Sequence, residues 1–136
     1  LFYSIGFIEL LERSTLDLAT LFNCEAVILM PDSSGHLSIR ARAGDSLSLG
    51  EHEIGIAYWV MQHGKAAGRN TDTLSSSHFK FIPLLGKKGS LGVLAIGRPL
   101  SQSFLNLEEE FQLESFISII ALAMENAIQA LGAYKH

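Results

Sequence analysis

Cysteine is nearly absent, with Cys24 the single thiol in 136 residues. That rules out an internal disulfide, a CxxC redox pair and a cysteine-rich zinc site, and one thiol in an apolar setting suits a reducing cytoplasm. Basic charge is sparse too. Ten Lys and Arg are scattered among fourteen Asp and Glu, for a net charge of −4. Without a basic stripe to neutralise a phosphate backbone, no nucleic-acid partner is expected. The longest apolar run, Phe116 to Met124 and broken by Ser118, is about half of the ~20 residues needed to cross a bilayer. It does not read as a membrane span. The first residues show no basic start, apolar stretch and small-residue cleavage site of a leader peptide.

Catalytic patterns are missing as well. His36, His52, His63 and His78 are dispersed, with no HExxH element, so no metal site is expected. Ser75, Ser76, Ser77, His78 and Asp72 supply triad residue types without a nucleophile elbow. Gly86-Lys87-Lys88-Gly89-Ser90-Leu91-Gly92 lacks Walker spacing and lies between two strand patterns, where a hairpin explains it. No catalytic residue is assigned.

What is present suits one domain spanning 1–136, a length able to bury roughly two thirds of its unfolded surface. The chain opens on Leu1 rather than methionine, which reads as a domain cut from a longer protein. Phe7, Leu11, Leu18, Leu21 and Phe22 fall near one helical face, with Ser14 and Thr15 placed to break or recap the helix. Cys24 to Met30 is a continuous apolar stretch closed by Pro31 and a turn, hence an inner strand. Leu37, Ile39, Ala41 and Ala43 then alternate with polar residues, as in a strand with one wet face that closes a hairpin. Ile54, Ala57, Tyr58 and Met61 suit a short helix, with Gly64 as a left-handed cap. A polar loop, Arg69 to His78, leads to a second hairpin of Phe79 to Leu85 and Leu91 to Ile96. Asn106 is placed to cap a last helix of about six turns, with Glu108, Glu109 and Glu110 near its positive dipole end.

On that helix Leu113, Ile117, Ile120, Met124 and Leu131, with Ala127 between the last two, repeat at spacings of three and four, while Phe116 and Ile119 widen the stripe. One face cannot hold them all. The band either packs wholly on the sheet or also joins a second copy, and the five residues are dimer and relay candidates. The order of helix, two strands, helix, two strands, long helix predicts an α+β fold, an antiparallel sheet with helices mainly on one face.

The run Trp59 to Arg69, followed by Thr71-Asp72-Thr73-Leu74, resembles the GAF domains of the KdpD family of potassium-responsive sensor histidine kinases. Ala26 to Pro31, Phe81-Ile82-Pro83-Leu84 and Leu91 to Ala95 extend the likeness over most of the chain. Ser75-Ser76-Ser77 departs from it by lacking the proline often found after the Thr-Asp-Thr-Leu motif. The resemblance implies a cytoplasmic GAF domain of a bacterial inner-membrane protein, flanked by transmembrane and kinase domains and forming a homodimer. The parent would be a histidine kinase using ATP and Mg and working with the response regulator KdpE. No cofactor is expected within this chain, which carries no phospho-acceptor or ATP-binding motif.

GAF domains often hold ligands between the sheet and its covering loops, which makes Trp59, His63, Arg69, Thr71, Asp72 and Thr73 candidates for an unidentified small molecule. Trp59 would supply an apolar wall, Arg69 an anion fork, and Thr71, Asp72 and Thr73 hydrogen bonds. Each has an ordinary structural use: core filling, a local ion pair, an Asx turn, or for His63 a cap on the carbonyls near Gly64. An enzyme alternative, the thiol-dependent GAF-type methionine sulfoxide reductases, would need a second thiol that this chain lacks. A missing NKFDE-type motif argues against cyclic nucleotides, and the position of Cys24 against bilin attachment.

Overall fold

A five-stranded antiparallel sheet organises residues 5–134, the part of the chain that the computed structural model describes. Along the sequence come α1 (Ile5–Phe22), β1 (Glu25–Pro31), β2 (Leu37–Ala43), α2 (Glu51–His63), β3 (Ala67–Gly68), β4 (Phe79–Gly86), β5 (Gly89–Gly97) and α3 (Leu107–Tyr134). The spatial order is β2-β1-β5-β4-β3, with β1, β5 and β4 interior. Both expected hairpins form. The two-residue edge strand β3, which pairs with Lys80 and Phe81, is too short to leave a sequence pattern.

Each face of the sheet has its own core. Ala26, Ile28, Met30, Leu84, Leu94 and Ile96 meet α1 and α3 on one side, while Val27, Leu29, Phe79, Phe81, Val93 and Ala95 meet α2 on the other. Two helices thus share a face and the third covers the opposite one. Because β1 contributes to both cores, all five residues from Ala26 to Met30 are buried, which is why its sequence is continuously apolar rather than alternating.

The simple alternation expected in β2 is corrected by a bulge. Ile28 pairs with Ala41 but Leu29 pairs with Ile39, so Arg40 is an extra residue between them. The insertion reverses the facing of the residues before it. Leu37 therefore packs under α2, Ala41 packs with α1 and α3, and Ile39 is left exposed. At the strand's far end the Glu25 carboxylate accepts hydrogen bonds from the Ser46 N–H (3.1 Å) and hydroxyl, the Leu47 N–H (3.3 Å) and Arg42 Nη2 (3.4 Å). Burial acts to raise its pKa, but these donors together hold it below the ordinary value.

Ser14 and Thr15 do not interrupt α1. Their hydroxyls donate to the carbonyls of Leu10 (2.7 Å) and Glu12 (3.0 Å), satisfying themselves within an unbroken 18-residue helix. Leu21, expected on the inner face, is exposed instead. At the end of α2, Gly64 adopts φ 64° and its N–H reaches the Val60 carbonyl, as a left-handed cap requires.

At 28 residues α3 is longer than expected, about eight turns and 42 Å. Asn106 Oδ1 accepts the Glu109 N–H at 2.8 Å and Glu109 Oε1 accepts the Asn106 N–H at 3.0 Å, a reciprocal capping box. Asn106→Ala is expected to cost about 1 kcal/mol, read as a lower urea midpoint with unchanged slope.

The stretch Leu107–Leu131 is long and apolar enough to span a membrane by length and composition alone, with mean hydropathy 1.3. The apolar run within it, Phe116 to Met124, is too short to span by itself. Here the helix packs against the sheet: Leu113, Ile120 and Met124 are buried in the core, with Ile117 and Leu131 half-buried beside them. Assigning Leu113, Ile120 and Met124 to a dimer surface is corrected accordingly, because their side chains are enclosed by the domain's own sheet and α1. A second apolar stripe lies on the opposite side, where Leu107, Phe111, Ile119 and Leu122 are 85, 75, 67 and 63% exposed. At about 100° per residue the two stripes are close to diametrically opposed.

Candidate functional site

The six residues named as ligand candidates do not converge on one chamber. Trp59 and His63, one turn apart on α2, stack with ring centroids 4.1 Å apart and planes 16° from parallel. His63 Nδ1 lies 2.8 Å from the Trp59 carbonyl, so that nitrogen must carry the donated proton. The pair closes the end of α2.

Thr71 and Thr73 belong to a tight turn. Gly68 N–H donates to the Thr73 carbonyl at 2.9 Å, and Thr73 N–H donates to Thr71 Oγ1 at 3.2 Å. Thr71 Oγ1 also lies 2.7 Å from the Gly68 carbonyl and 2.9 Å from that of Thr73, either of which can accept its one proton. Asp72 is exposed at the tip. Gly68 is required here: its φ is 96°, and a Cβ would stand 2.5 Å from the Phe79 carbonyl oxygen.

Arg69 faces main chain rather than an open anion site. Nη1 donates to the carbonyls of Arg98 (2.6 Å) and Pro99 (3.3 Å), Nη2 donates to that of Gln102 (2.6 Å), and the guanidinium lies 4.7 Å from the centroid of the Phe104 ring. Burial, followed by repulsion from Arg98, lowers its pKa from the ordinary arginine value. The partner of Arg69 is therefore the segment joining β5 to α3.

The space between sheet and α2 is filled. Phe79 and Phe81 are fully buried, with ring centroids 5.9 Å apart, among Ile56, Ala57, Val60 and Val93. Outside this packing, a shallow cavity of ≈ 290 Å³ is lined by Glu53, Arg69, Ser75, Ser76, Ser77, His78 and Leu100. Among the described residues Arg69 lines it, while Trp59, His63, Thr71, Asp72 and Thr73 do not. The Ser-rich segment, expected as a solvated loop, lines this recess, and Ser77 in it is buried. Its density of hydroxyls was the one available signal of a polar recess.

Cys24 stands one residue before β1 rather than within it, half-buried, with Sγ 3.7 Å from the Leu18 carbonyl. Burial pushes its thiol from 9.0 up to about 11, more than the opposing charge of Arg98 can offset, and Glu109 and Glu25 add to the rise. Thiolate is thus scarce at neutral pH, which removes the nucleophile that thiol chemistry needs. The folded state holds this proton more tightly than the unfolded chain does. Its contribution to stability is complete below about pH 9 and is lost as pH rises through about 11. Between those values the wild-type denaturant midpoint is expected to fall more than that of Cys24→Ser, and equal falls would refute the assignment.

Arg98, not among the six candidates, engages four partners through its guanidinium, as many as Arg69 does. Its nitrogens lie 3.2 Å from the Asn23 carbonyl, 2.5 Å from that of Phe22, 3.0 Å from that of Ser103 and 3.3 Å from Glu109 Oε2. A lone arginine directly after an apolar strand was the only trace of this role.

The architecture is thus a five-stranded antiparallel sheet with α1 and α3 on one face and α2 on the other. A GAF domain family profile matches residues 9–126, and the chain belongs to that family. Sensor protein KdpD of Escherichia coli (strain K12) is 25% identical over 108 residues, covering 79% of this chain and 12% of KdpD. The chain therefore spans a small part of that relative. The crystal structure of the native GAF domain of potassium sensor histidine kinase KdpD from Escherichia coli matches with TM-score 0.79 at 22% identity, over 94% of this chain and 87% of that one. The second GAF domain of DevS from Mycobacterium smegmatis gives 0.72 at 16%, over 93 and 99%. Residues 122 to 287 of a methyl-accepting chemotaxis protein give 0.67 at 20%, over 93 and 94%.

Proposed function

We propose that this GAF domain is a signal-relay module of a two-component sensor kinase controlling potassium uptake, on the cytoplasmic side of a bacterial inner membrane. Its partners in this reading are a second copy, the adjoining transmembrane and kinase domains and, for the parent protein, the response regulator KdpE. ATP and Mg serve the parent's kinase core. The likeness to KdpD supports the setting. The observation that carries the relay reading is the double-sided α3: one stripe is fixed in the core, and Leu107, Phe111, Ile119 and Leu122 form a second, exposed one. A helix held on both sides converts a small displacement of its own domain into a shift of whatever it packs against.

Changing Ile119 and Leu122 together to Asp in the full-length kinase is expected to abolish stimulus-dependent autophosphorylation and to turn dimers of the isolated domain into monomers. A double variant that remains dimeric and responsive would sink the proposal.

The polar cavity beside Arg69 favours a second reading, a ligand-responsive module. Native mass spectrometry of the gently purified domain separates the two. A reproducible added mass that disappears in Arg69→Lys supports ligand sensing, and an unliganded dimer supports relay without a ligand.

A further inference from the structure

We infer that Arg98 is a latch that locks the end of α1 to the start of α3, and that Arg69 connects this latch to the loop of residues 69–78 between β3 and β4. The inference deepens the relay reading and rests on it for its purpose, while its geometry stands independently.

Arg98 follows the last residue of β5. Its Nη2 and Nε donate to the carbonyls of Phe22 and Asn23, where α1 ends and Asn23 turns left-handed with φ 49°. Those carbonyls are the unsatisfied, negative end of the helix dipole, which a guanidinium suits. The same Nη2 meets Glu109 Oε2, while the other oxygen of that carboxylate closes the capping box of α3. One carboxylate thus serves the start of α3 and one guanidinium the end of α1, and the two groups hold each other. Below them Phe22 and Phe116 meet edge to face, with centroids 6.0 Å apart, giving the junction an apolar floor.

The second half of the device is the segment from Arg98 to Ser103. Arg98 Nη1 holds its far end at the Ser103 carbonyl, while Arg69 holds the carbonyls of Arg98 and Gln102 from the other side. Two guanidiniums clamp one short segment between them. Arg69 itself lines the ≈ 290 Å³ recess together with Ser75, Ser76, Ser77 and His78 of that loop. A movement of that loop therefore pulls on the carbonyls of 98–102, and through Arg98 on both helices. With the latch closed, α1 and α3 move as one body; with it open, they move separately.

Arginine's planar fork is what permits simultaneous contact with carbonyls and a carboxylate, and lysine cannot reproduce it. Hydrogen exchange on the whole 136-residue chain tests the latch, since it reports local opening at each helix end separately from global stability. Arg98→Lys is expected to speed exchange about tenfold or more at the last turn of α1 and the first turn of α3, with β1 and β5 unchanged. Should β1 and β5 also loosen, two milder variants decide. Glu109→Gln, which keeps an acceptor for the capping box, must speed exchange at the end of α1. Arg69→Lys, whose side chain contacts main chain at 98–102 rather than either helix end, must do the same. Acceleration confined to α3 in the first variant, or to residues 98–103 in the second, overturns the inference. Because the readout is exchange in this domain, a broken latch is distinguishable from a failed kinase-relay reading, which is scored by autophosphorylation of the Ile119 and Leu122 variants.

Discussion

Ile120→Asp is expected to unfold the domain, whereas Ile119→Asp, one residue earlier, leaves it folded. Ile120 is buried against the sheet in the layer formed with Leu113 and Met124, while Ile119 faces away from it. Removing the aliphatic chain from a core position costs about 2–5 kcal/mol, and enclosing a carboxylate there adds several more unless it takes up a proton. Against a total of about 5–15 kcal/mol for a domain, that sum removes most or all of the stability. On the outer stripe a substitution changes stability by about 0.5 kcal/mol or less. Circular-dichroism melts should show a lost or much lowered transition for Ile120→Asp and a preserved one for Ile119→Asp. Similar melts for both would mean that the two sides of α3 have been misassigned.

Phe81→Ala should lower stability by about 3–5 kcal/mol and open a void where the space beneath α2 is now filled. Phe81 is fully enclosed beside Phe79, and its ring edge would lie 3.1 Å from a Cβ at Gly68, so neighbouring backbone restricts collapse into the gap. An apolar cavity of this kind stays dry and accepts small hydrocarbons. Benzene added to the variant should therefore raise its melting temperature in proportion to the logarithm of concentration, with no such effect on the wild type. The wild-type domain would then be one whose ligand chamber has been replaced by side chains. If benzene stabilises wild type and variant equally, the interior is already open and the ligand-free relay reading loses its main physical support.

The sequence was most readable where one physical demand dominated a segment. Residues Ala26 to Met30 announce an inner strand because both sides of β1 are buried. Asn106 and the acidic turn after it announce a helix start because the unpaired amides there need acceptors. Gly86 to Ser90 announces a hairpin through its glycines. Legibility failed where two demands produced the same letters. The residues of β2 alternate cleanly, yet the extra residue at Arg40 divides Leu37 and Ala41 between two cores, and nothing in an alternating pattern marks where an insertion falls. Ser14 and Thr15 look like helix interrupters until their hydroxyls find carbonyls within the same helix.

The site was harder to read for a related reason. Polar residues in the 69–73 motif suggested a ligand, but Thr71 and Thr73 are consumed by a turn and Arg69 by main-chain carbonyls some thirty positions later. Carbonyl acceptors have no residue type of their own, so the partner of Arg69 left no mark in the sequence. Arg98 was overlooked on the same account, since three of its four acceptors are backbone oxygens from Phe22, Asn23 and Ser103.

That choice of acceptor has a bearing on how the gene can drift. Every residue brings a carbonyl, so exchanging Gln102 or Ser103 for another amino acid leaves the acceptor in place, whereas exchanging Arg69 or Arg98 removes the donor. A library randomised across 98–103 and selected for intact domains should come through varied at its later positions and fixed at Arg98. The joint between β5 and α3 can thus rewrite most of its lettering while keeping its shape, provided two guanidiniums are inherited unchanged.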